Sequence, residues 1–453
     1  MRTRILGAVT LMLFGCAGRV ASSQKAAVVS PSDTAAADAD TDADADTDTD
    51  TDSDTDTDID IAHPAVAPYA VYLGAADDRL GSAASGGDLY GEGRDVLVAA
   101  ARGAEPYPDA WQDYNRLVVL EFRAGRHPLA ATLRESVDDC ATFGRPYGVG
   151  DVTGDGRDDV VFGEHVFAGP VEPGVGCAAS WAAGARPGMI GGFDANGDGL
   201  GELVRHDGGG TFTIWYGPVA PGPIPEPGDA DFDGSVAADM GLCGPEKPGG
   251  SVLLGLRGPG SVIIVSGSAG DYGYDCPSTV GVLVDVTGPR GQRWTDGDAF
   301  ATTAELELQA IGDWDGDGQP DLLGSTALRG PPLADLQDSA QMFDPPLQTY
   351  GRSVDDLDGD GVREPLIYRD GWGVLLSGAL APGPLTDEAI DEATVLLTTD
   401  PSDGGIPGVE SIHTGDFDGD GVPEIVSSDR NAAGLEGRIW VWRGRDLLDA
   451  ARP

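Results

Sequence analysis

Basic residues are scarce in this chain. Its 28 Lys and Arg stand against 76 Asp and Glu, a net charge of −48 over 453 residues. Proteins grip phosphate backbones with clustered Lys and Arg, and no such cluster occurs here, so nucleic acid is excluded as a partner. Histidine is equally sparse: His63, His127, His165, His206 and His413 are scattered. No HExxH pair and no GxSxG elbow is present, which removes the residues of the common zinc-peptidase and serine-hydrolase sites. His165 follows Glu164, and the pair reads as solvated loop side chains rather than as an acid–base couple. Aromatic residues are only 7% of the chain; Trp440 and Trp442, two apart, share one strand face and, with Trp372, read as filling between layers. Gly (69) and Pro (32) are abundant instead, and they favour short strands and frequent turns over helices. The length allows one large repeat domain or two to three ordinary ones.

Long apolar runs are also missing. The segment from Ile5 to Phe14, behind Arg2 and Arg4, is too short to span a bilayer and reads as an export signal over residues 1–16. Its end, Leu13-Phe14-Gly15-Cys16, resembles a bacterial lipobox, which implies cleavage before Cys16 and lipidation of that residue. Several acyl chains on one Cys make a stable membrane anchor. Ala17, rather than Asp, after the Cys favours the outer membrane. Residues 17–62 read as a disordered tether: 13 Asp lie between Asp33 and Asp60 with no Lys or Arg among them. Alternating Asp and small residues offer nothing to bury, and the chain extends by self-repulsion. A metal-storing polyanion is the lesser reading.

Cysteine is limited to five. Besides Cys16 there are Cys140, Cys177, Cys243 and Cys276, an even number in an exported chain, which suggests two disulfides with three possible pairings. Pairing of sequence neighbours, Cys140–Cys177 and Cys243–Cys276, would staple one region each; free buried thiols are the alternative.

What the chain does have is a repeated acidic loop. "DVTGDGRDDVV" begins at Asp151, "DANGDGLGELV" at Asp194, "DWDGDGQPDLL" at Asp313, "DLDGDGVREPL" at Asp356 and "DFDGDGVPEIV" at Asp416. Each has oxygen side chains at positions 1, 3 and 5, Gly at 6 and a carboxylate at 9. Gly permits the sharp turn, the carbonyl at position 7 faces inward, and the last carboxylate closes a shell of oxygens around a hard cation. The candidate ligand sets are Asp151, Thr153, Asp155, Arg157 and Asp159; Asp194, Asn196, Asp198, Leu200 and Glu202; Asp313, Asp315, Asp317, Gln319 and Asp321; Asp356, Asp358, Asp360, Val362 and Glu364; and Asp416, Asp418, Asp420, Val422 and Glu424, with Arg157, Leu200, Gln319, Val362 and Val422 serving through their carbonyls. An all-oxygen set without His or Cys fits calcium better than zinc. Two weaker copies are "DLYGEGRDVLV", read as one residue short with Asp88, Glu92 and Asp95 as ligands, and "DADFDGSVAAD", with Asp229, Asp231 and Asp233. An EF-hand is excluded, because position 12 holds Phe162, Arg205, Gly324, Ile367 and Ser427 where an acid is required. β-prone residues follow each loop at once, so it joins two strands. A second element recurs: "VFAGPVEPG" (166–174), "IWYGPVAPG" (214–222), "ALRGPPLAD" (327–335) and "LLSGALAPG" (375–383).

A strand, then GD-x-D/N-G-D-G-x-x-D/E, then an apolar strand resembles the FG-GAP and VCBS repeats, the calcium-loop repeats of integrin alpha-chain propellers; "RLGSAASGGDLYGEGRDVLVAAARG" (80–103) resembles a whole FG-GAP unit. The resemblance covers residues 63–453 and implies an all-β fold, a β-propeller. Seven loop starts (88, 151, 194, 229, 313, 356, 416) give seven blades of about four strands with an insertion after 229; "DVTGPRGQRW" (285–294), taken as a decayed loop, gives eight. "PYAVYLG" (68–74) and "RIWVWRG" (438–444) are the strands expected to complete one blade and close the ring. The family implies several bound calcium ions and a cell-surface binding or adhesion module, with an unknown surface protein or glycan ligand on the face opposite the calcium loops, and no residue set argues for catalysis. A propeller-type polysaccharide lyase or hydrolase, with its site at the propeller mouth, and a structural envelope component are the alternatives.

Overall fold

The computed structural model describes residues 64–102, 116–137, 146–163, 165–174, 198–206, 211–222, 228, 353–368, 372–376, 390, 392–400 and 412–451, and between these the backbone of a series of separate strands. The described chain is strand-rich, and its strands form seven sheets of three to five strands. Most are meanders of consecutive strands. Gly81–Ser85, Leu97–Ala101, Arg116–Leu120 and Leu133–Val137 pair antiparallel in chain order, apart from one intervening strand, Gly125–Pro128, which joins another sheet. The next sheet follows the same plan with Pro146–Gly150, Asp159–Phe162, His165–Phe167 and Trp181–Ala182.

Side-chain alternation explains how the sheets stack. Every residue of Leu97–Ala101 is buried, and a strand buried on both faces must serve two cores. Leu97, Ala99 and Ala101, with Val118 and Leu120, pack against Phe417, Val426, Ile439 and Val441. Val98 and Ala100, with Leu117 and Val119, turn the other way onto Val160 and Phe162. Beyond that sheet, Val149, Val161 and Val166 meet Leu203 and Trp215. On the far side, Ile425, Trp440 and Trp442 meet Leu366, Val374 and Val395. Five sheets therefore pack in succession, and the last sheet of the chain lies against the first. Trp440 and Trp442 are fully buried in this packing, as their spacing predicts, and Trp372 joins them.

The two expected closing segments pair as the sequence indicates. Ala70–Leu73 runs antiparallel to Arg438–Trp442, with Val71 opposite Trp440 and Tyr72 opposite Ile439. The sheet is built from both ends of the described chain, in the order His413–Gly415, Glu424–Asp429, Arg438–Trp442, Ala70–Leu73, Gly125–Pro128.

The region after 229 differs from its sequence reading. Ala230–Asp233 is not a loop; it is a strand pairing antiparallel with Thr211–Trp215 and parallel with Arg293–Thr295. The interval up to 313 instead contains a four-stranded sheet of its own, Gly249–Gly255, Val262–Ser268, Gly281–Asp285 and Ala301–Thr303, whose first hairpin connection carries no acidic motif. Sheet formation follows from Val, Ile and Leu content and needs no cation loop, so counting acidic loops missed this sheet and took a strand for a loop.

Candidate metal centres

The described acidic loops share one backbone. Asp356 accepts the amides of Gly359 (2.7 Å) and Asp360 (3.1 Å) on one carboxylate oxygen and of Gly361 (2.8 Å) on the other. Asp151 takes Gly154, Asp155 and Gly156 in the same way, and Asp416 takes Asp420 and Gly421. The position-5 carboxylate then accepts the position-7 amide: Asp155 from Arg157, Asp198 from Leu200, Asp360 from Val362 and Asp420 from Val422, all between 2.8 and 3.0 Å. Glycines at positions 4 and 6 make this possible with left-handed φ, 82° and 93° at Gly359 and Gly361, 75° and 84° at Gly419 and Gly421. The first aspartate organises the turn by its amide contacts.

Position 9 closes the loop from within. Asp159, Glu202, Glu364 and Glu424 are fully buried. One oxygen of Glu364 accepts the Leu357 amide at 2.8 Å; one oxygen of Glu424 accepts those of Phe417 (2.8 Å) and Asp418 (3.3 Å). The other oxygen of each, Oε1 of Glu364 and of Glu424, is buried with no hydrogen-bond partner. A buried carboxylate oxygen without a partner costs free energy, and burial accordingly pushes Glu364 up to about 9 and Glu424 up to about 8, with the loop's own aspartates adding to the rise. Asp159 is shorter and uses both oxygens, on the amides of Thr153 and Gly169, and is raised only to about 6.

Among the described residues, two loops gather these groups tightly. Asp356, Asp358, Asp360 and Glu364 each offer an oxygen within 4.8 Å of the others, as do Asp416, Asp418 and Asp420. A divalent cation placed there would remove the mutual repulsion and give Glu364 the partner its second oxygen lacks. The donor set is all oxygen, as calcium requires. In the loop at 151, position 3 is a neutral hydroxyl, Thr153, whose Oγ1 lies 3.5 Å from Asp151. Asp194, Asn196, Asp229, Asp313, Asp315, Asp317 and Gln319 lie outside the described residues, as do Cys16, Cys140, Cys177, Cys243 and Cys276. Asp231, Asp233 and Asp321 are described only as backbone in strands.

The loop at 88 shows why it lacks a closing acid. Asp88 accepts the amides of Glu92 and Gly93, both at 2.8 Å, so it occupies position 1 as elsewhere. Counting from it places buried Val96, not Asp95, at position 9. The loop has full length, and Asp95 stands at position 8, where Asp158 stands in the next loop. Both residues reach sideways. Asp158 accepts the Asp88 amide at 2.7 Å, and Asp95 accepts the Asp416 amide at 3.2 Å and the Ser85 hydroxyl at 3.0 Å. The Gly201 amide, also at position 8, donates to the Asp151 carbonyl at 3.1 Å. Loops 416, 88, 151 and 194 are thus latched side by side in that order. Glu92 is held by Arg134 (2.7 Å) and Arg94 (3.1 Å), which keep its carboxyl below the usual range, and Arg134 lies 3.7 Å over the Tyr90 ring. Arginine supplies the positive charge in this loop.

The second recurring element docks on the loops. The Gly169 amide donates to Asp159 at 3.1 Å, and the Val219 amide donates to the Val152 carbonyl at 2.8 Å. His165 lies on a strand beside Phe167 rather than in a loop.

Neither the models of known protein families nor the curated proteins contain a match to this chain. Among solved structures, it is similar to the one described as a crystal structure of BBS1N in complex with ARL6DN, soaked with mercury. The alignment covers 84% of this chain and 94% of that one, at 10% identity and a TM-score of 0.43.

Proposed function

We propose that this chain is an exported protein, lipid-anchored through Cys16 at the outer membrane, whose calcium-bound β-propeller stands off the surface on its acidic tether and acts as a binding or adhesion module. The observation that carries the calcium reading is the buried, partnerless Oε1 of Glu364 inside a cluster of three aspartates. Support for a propeller of seven blades comes from the seven sheets, from successive face-to-face packing, from loops latched in ring order with 416 beside 88, and from a sheet shared by the two ends of the described chain. Six of those sheets would carry an acidic loop and one would not. Extracellular calcium is plentiful, so modest affinity at each loop would suffice to keep the sites filled.

On this reading, the loops serve stability and the opposite face serves the ligand, a surface protein or glycan. The test is a binding screen of the full chain against surface glycans and envelope proteins, in calcium and in EDTA. Saturable binding that is lost in EDTA and restored by calcium supports the module. A panel-wide absence of binding, or binding that survives unfolding of the chain, contradicts it.

A further inference from the structure

Neighbouring loops hold one another by a pair of bonds that repeats. The Asp95 amide donates to the Asp416 carbonyl at 2.9 Å, and the Asp416 amide donates back to Asp95 Oδ2 at 3.2 Å. The same pair joins Asp158 to Asp88, at 3.3 Å and 2.7 Å. Gly201 has no side chain and makes only the first of the two bonds, to the Asp151 carbonyl. In each case position 8 of one loop clasps position 1 of the loop beside it. Both backbone groups of Asp416 and of Asp88 are therefore held from the next loop, by an acid that stands outside the ligand positions 1, 3, 5 and 9.

Local sequence makes room for the clasp. A Cβ on Gly415, just before Asp416, would stand 2.8 Å from both Asp95 Oδ2 and Ser85 Oγ, and one on Gly87, just before Asp88, would collide with Asp158. Ser85 donates its hydroxyl to Asp95 Oδ2 at 3.0 Å and accepts the Gly87 amide at 3.1 Å, which aims the Asp95 carboxylate at the Asp416 amide. The two clasps serve unlike loops. In the 416 loop, oxygens of Asp416, Asp418 and Asp420 converge, and Oε1 of Glu424 is buried with no hydrogen-bond partner. The 88 loop has buried Val96 at position 9 and two arginines on Glu92.

We propose that Asp95 is a positioning residue for the calcium site of the 416 loop: it fixes the Asp416 backbone from the neighbouring sheet, raises that loop's affinity, and makes calcium binding there depend on the contact between the two sheets. The inference rests on the calcium reading of the loops. Asp416 gathers the amides of Asp420 and Gly421 on its carboxylate, so its own backbone sets where the rest of the loop sits. Holding that backbone in advance removes ordering that calcium would otherwise have to impose. By reciprocity, calcium in the 416 loop strengthens the seam between the first and last sheets. The seam has other bonds and does not form through Asp95 alone. The Arg79 and Leu80 amides donate to the Leu435 and Glu436 carbonyls at 3.1 and 3.0 Å, the Ala83 amide donates to Ser428 Oγ at 3.1 Å, and Phe417 packs with Leu97 and Ala99.

The test is calorimetric calcium titration of the full chain and its variants, well below the melting midpoint. Asp418→Ala should delete one class of site. Asp95→Ala should weaken that same class by roughly fivefold to tenfold, the worth of one hydrogen bond to a carboxylate, and should change nothing further in the Asp418→Ala background. Asp95→Asn keeps an oxygen for the Asp416 amide and should recover most of the loss. Asp158→Ala opens the matching clasp on the 88 loop and should leave this class as it is. If Asp95→Ala leaves the isotherm unchanged while Asp418→Ala alters it, the calcium reading stands and the positioning role is refuted. If Asp418→Ala alters nothing, the calcium reading of this loop fails and the positioning role with it. Equal losses in Asp95→Asn and Asp95→Ala, a loss that persists in the Asp418→Ala background, or a loss in this class from Asp158→Ala also overturns the proposal, because charge alone, another loop or a general loosening is then responsible. Should Asp95→Ala not fold, Ser85→Ala carries the test. It removes the hydroxyl that aims Asp95, so a loss of roughly twofold or more in the same class is expected, and an unchanged class is the refutation.

Discussion

Glu364→Gln separates a metal ligand from a structural hydrogen bond. The substitution keeps shape, and the amide oxygen can still accept the Leu357 N–H that Glu364 accepts at 2.8 Å. It removes the charge from a side chain that is fully buried and has one oxygen without a partner. In EDTA the variant should match wild type within about 1 kcal/mol near pH 4, where the carboxyl is protonated in both states. At neutral pH it should be the more stable of the two, since the hydrogen bond survives and no buried carboxyl has to hold its proton. In calcium the wild type gains RT ln(1 + [L]/Kd) per site, about 1.4 kcal/mol at ten times Kd, and the variant should forfeit that gain at this loop. The pH sign follows from the raised pKa. Burial holds Glu364 at about 9 without metal, above its unfolded value of about 4.3. Its contribution in chelator is therefore fully present below about pH 4 and is lost as pH rises toward 9, and the Gln variant should lack that decline. Urea unfolding with and without calcium measures both. Asp355→Asn, at an acid paired with Arg363 outside the cluster, is the control and should not change the calcium increment. Equal destabilisation by Glu364→Gln in EDTA and in calcium would refute the reasoning, because the side chain would then act only through Leu357.

Three further outcomes are expected. Trp440→Ala removes a fully buried side chain between two sheets and should cost about 3–5 kcal/mol, lowering the melting midpoint by roughly 5–15 °C in a calorimetric scan; a shift under 1 °C would show that the sheets do not rely on this packing. Cys16→Ser should move the protein from the membrane fraction to the soluble exported fraction, and unchanged fractionation would rule out the lipobox. Mass spectrometry of non-reduced peptides should find Cys140 linked to Cys177 and Cys243 to Cys276; four alkylatable thiols in the native protein would exclude both bonds.

Local signals in the sequence carried well. Side-chain period and Gly placement are properties of a few neighbouring residues, so the loop backbone at 151, 356 and 416 and the strand face shared by Trp440 and Trp442 were legible. The closing pair, Ala70–Leu73 with Arg438–Trp442, was legible because each end left one strand without a local partner. What failed depended on distant neighbours. Asp95 looks like a closing acid until Asp416 is placed beside it, 321 residues away in sequence, to receive its carboxylate. Arg134 comes to Glu92 from 42 residues downstream, and no spacing rule announces it. Asp231 and Asp233 imitate a loop because alternate aspartates fit a strand equally well once it has partners on both edges. The sheet built from residues 249–303 has no intact acidic loop, and the decayed copy at 285–294 follows its third strand rather than filling its first hairpin.

The most direct test of the account is thermal unfolding of the full chain in EDTA, in calcium and in magnesium. With five intact loops each contributing about 1.4 kcal/mol at ten times Kd, calcium should supply several kcal/mol, comparable with the whole net stability of an ordinary domain. The account predicts a midpoint that falls by roughly 10 °C or more in EDTA and returns with calcium, but much less with magnesium, which sheds its waters reluctantly. A melting curve that is the same in all three conditions would contradict it.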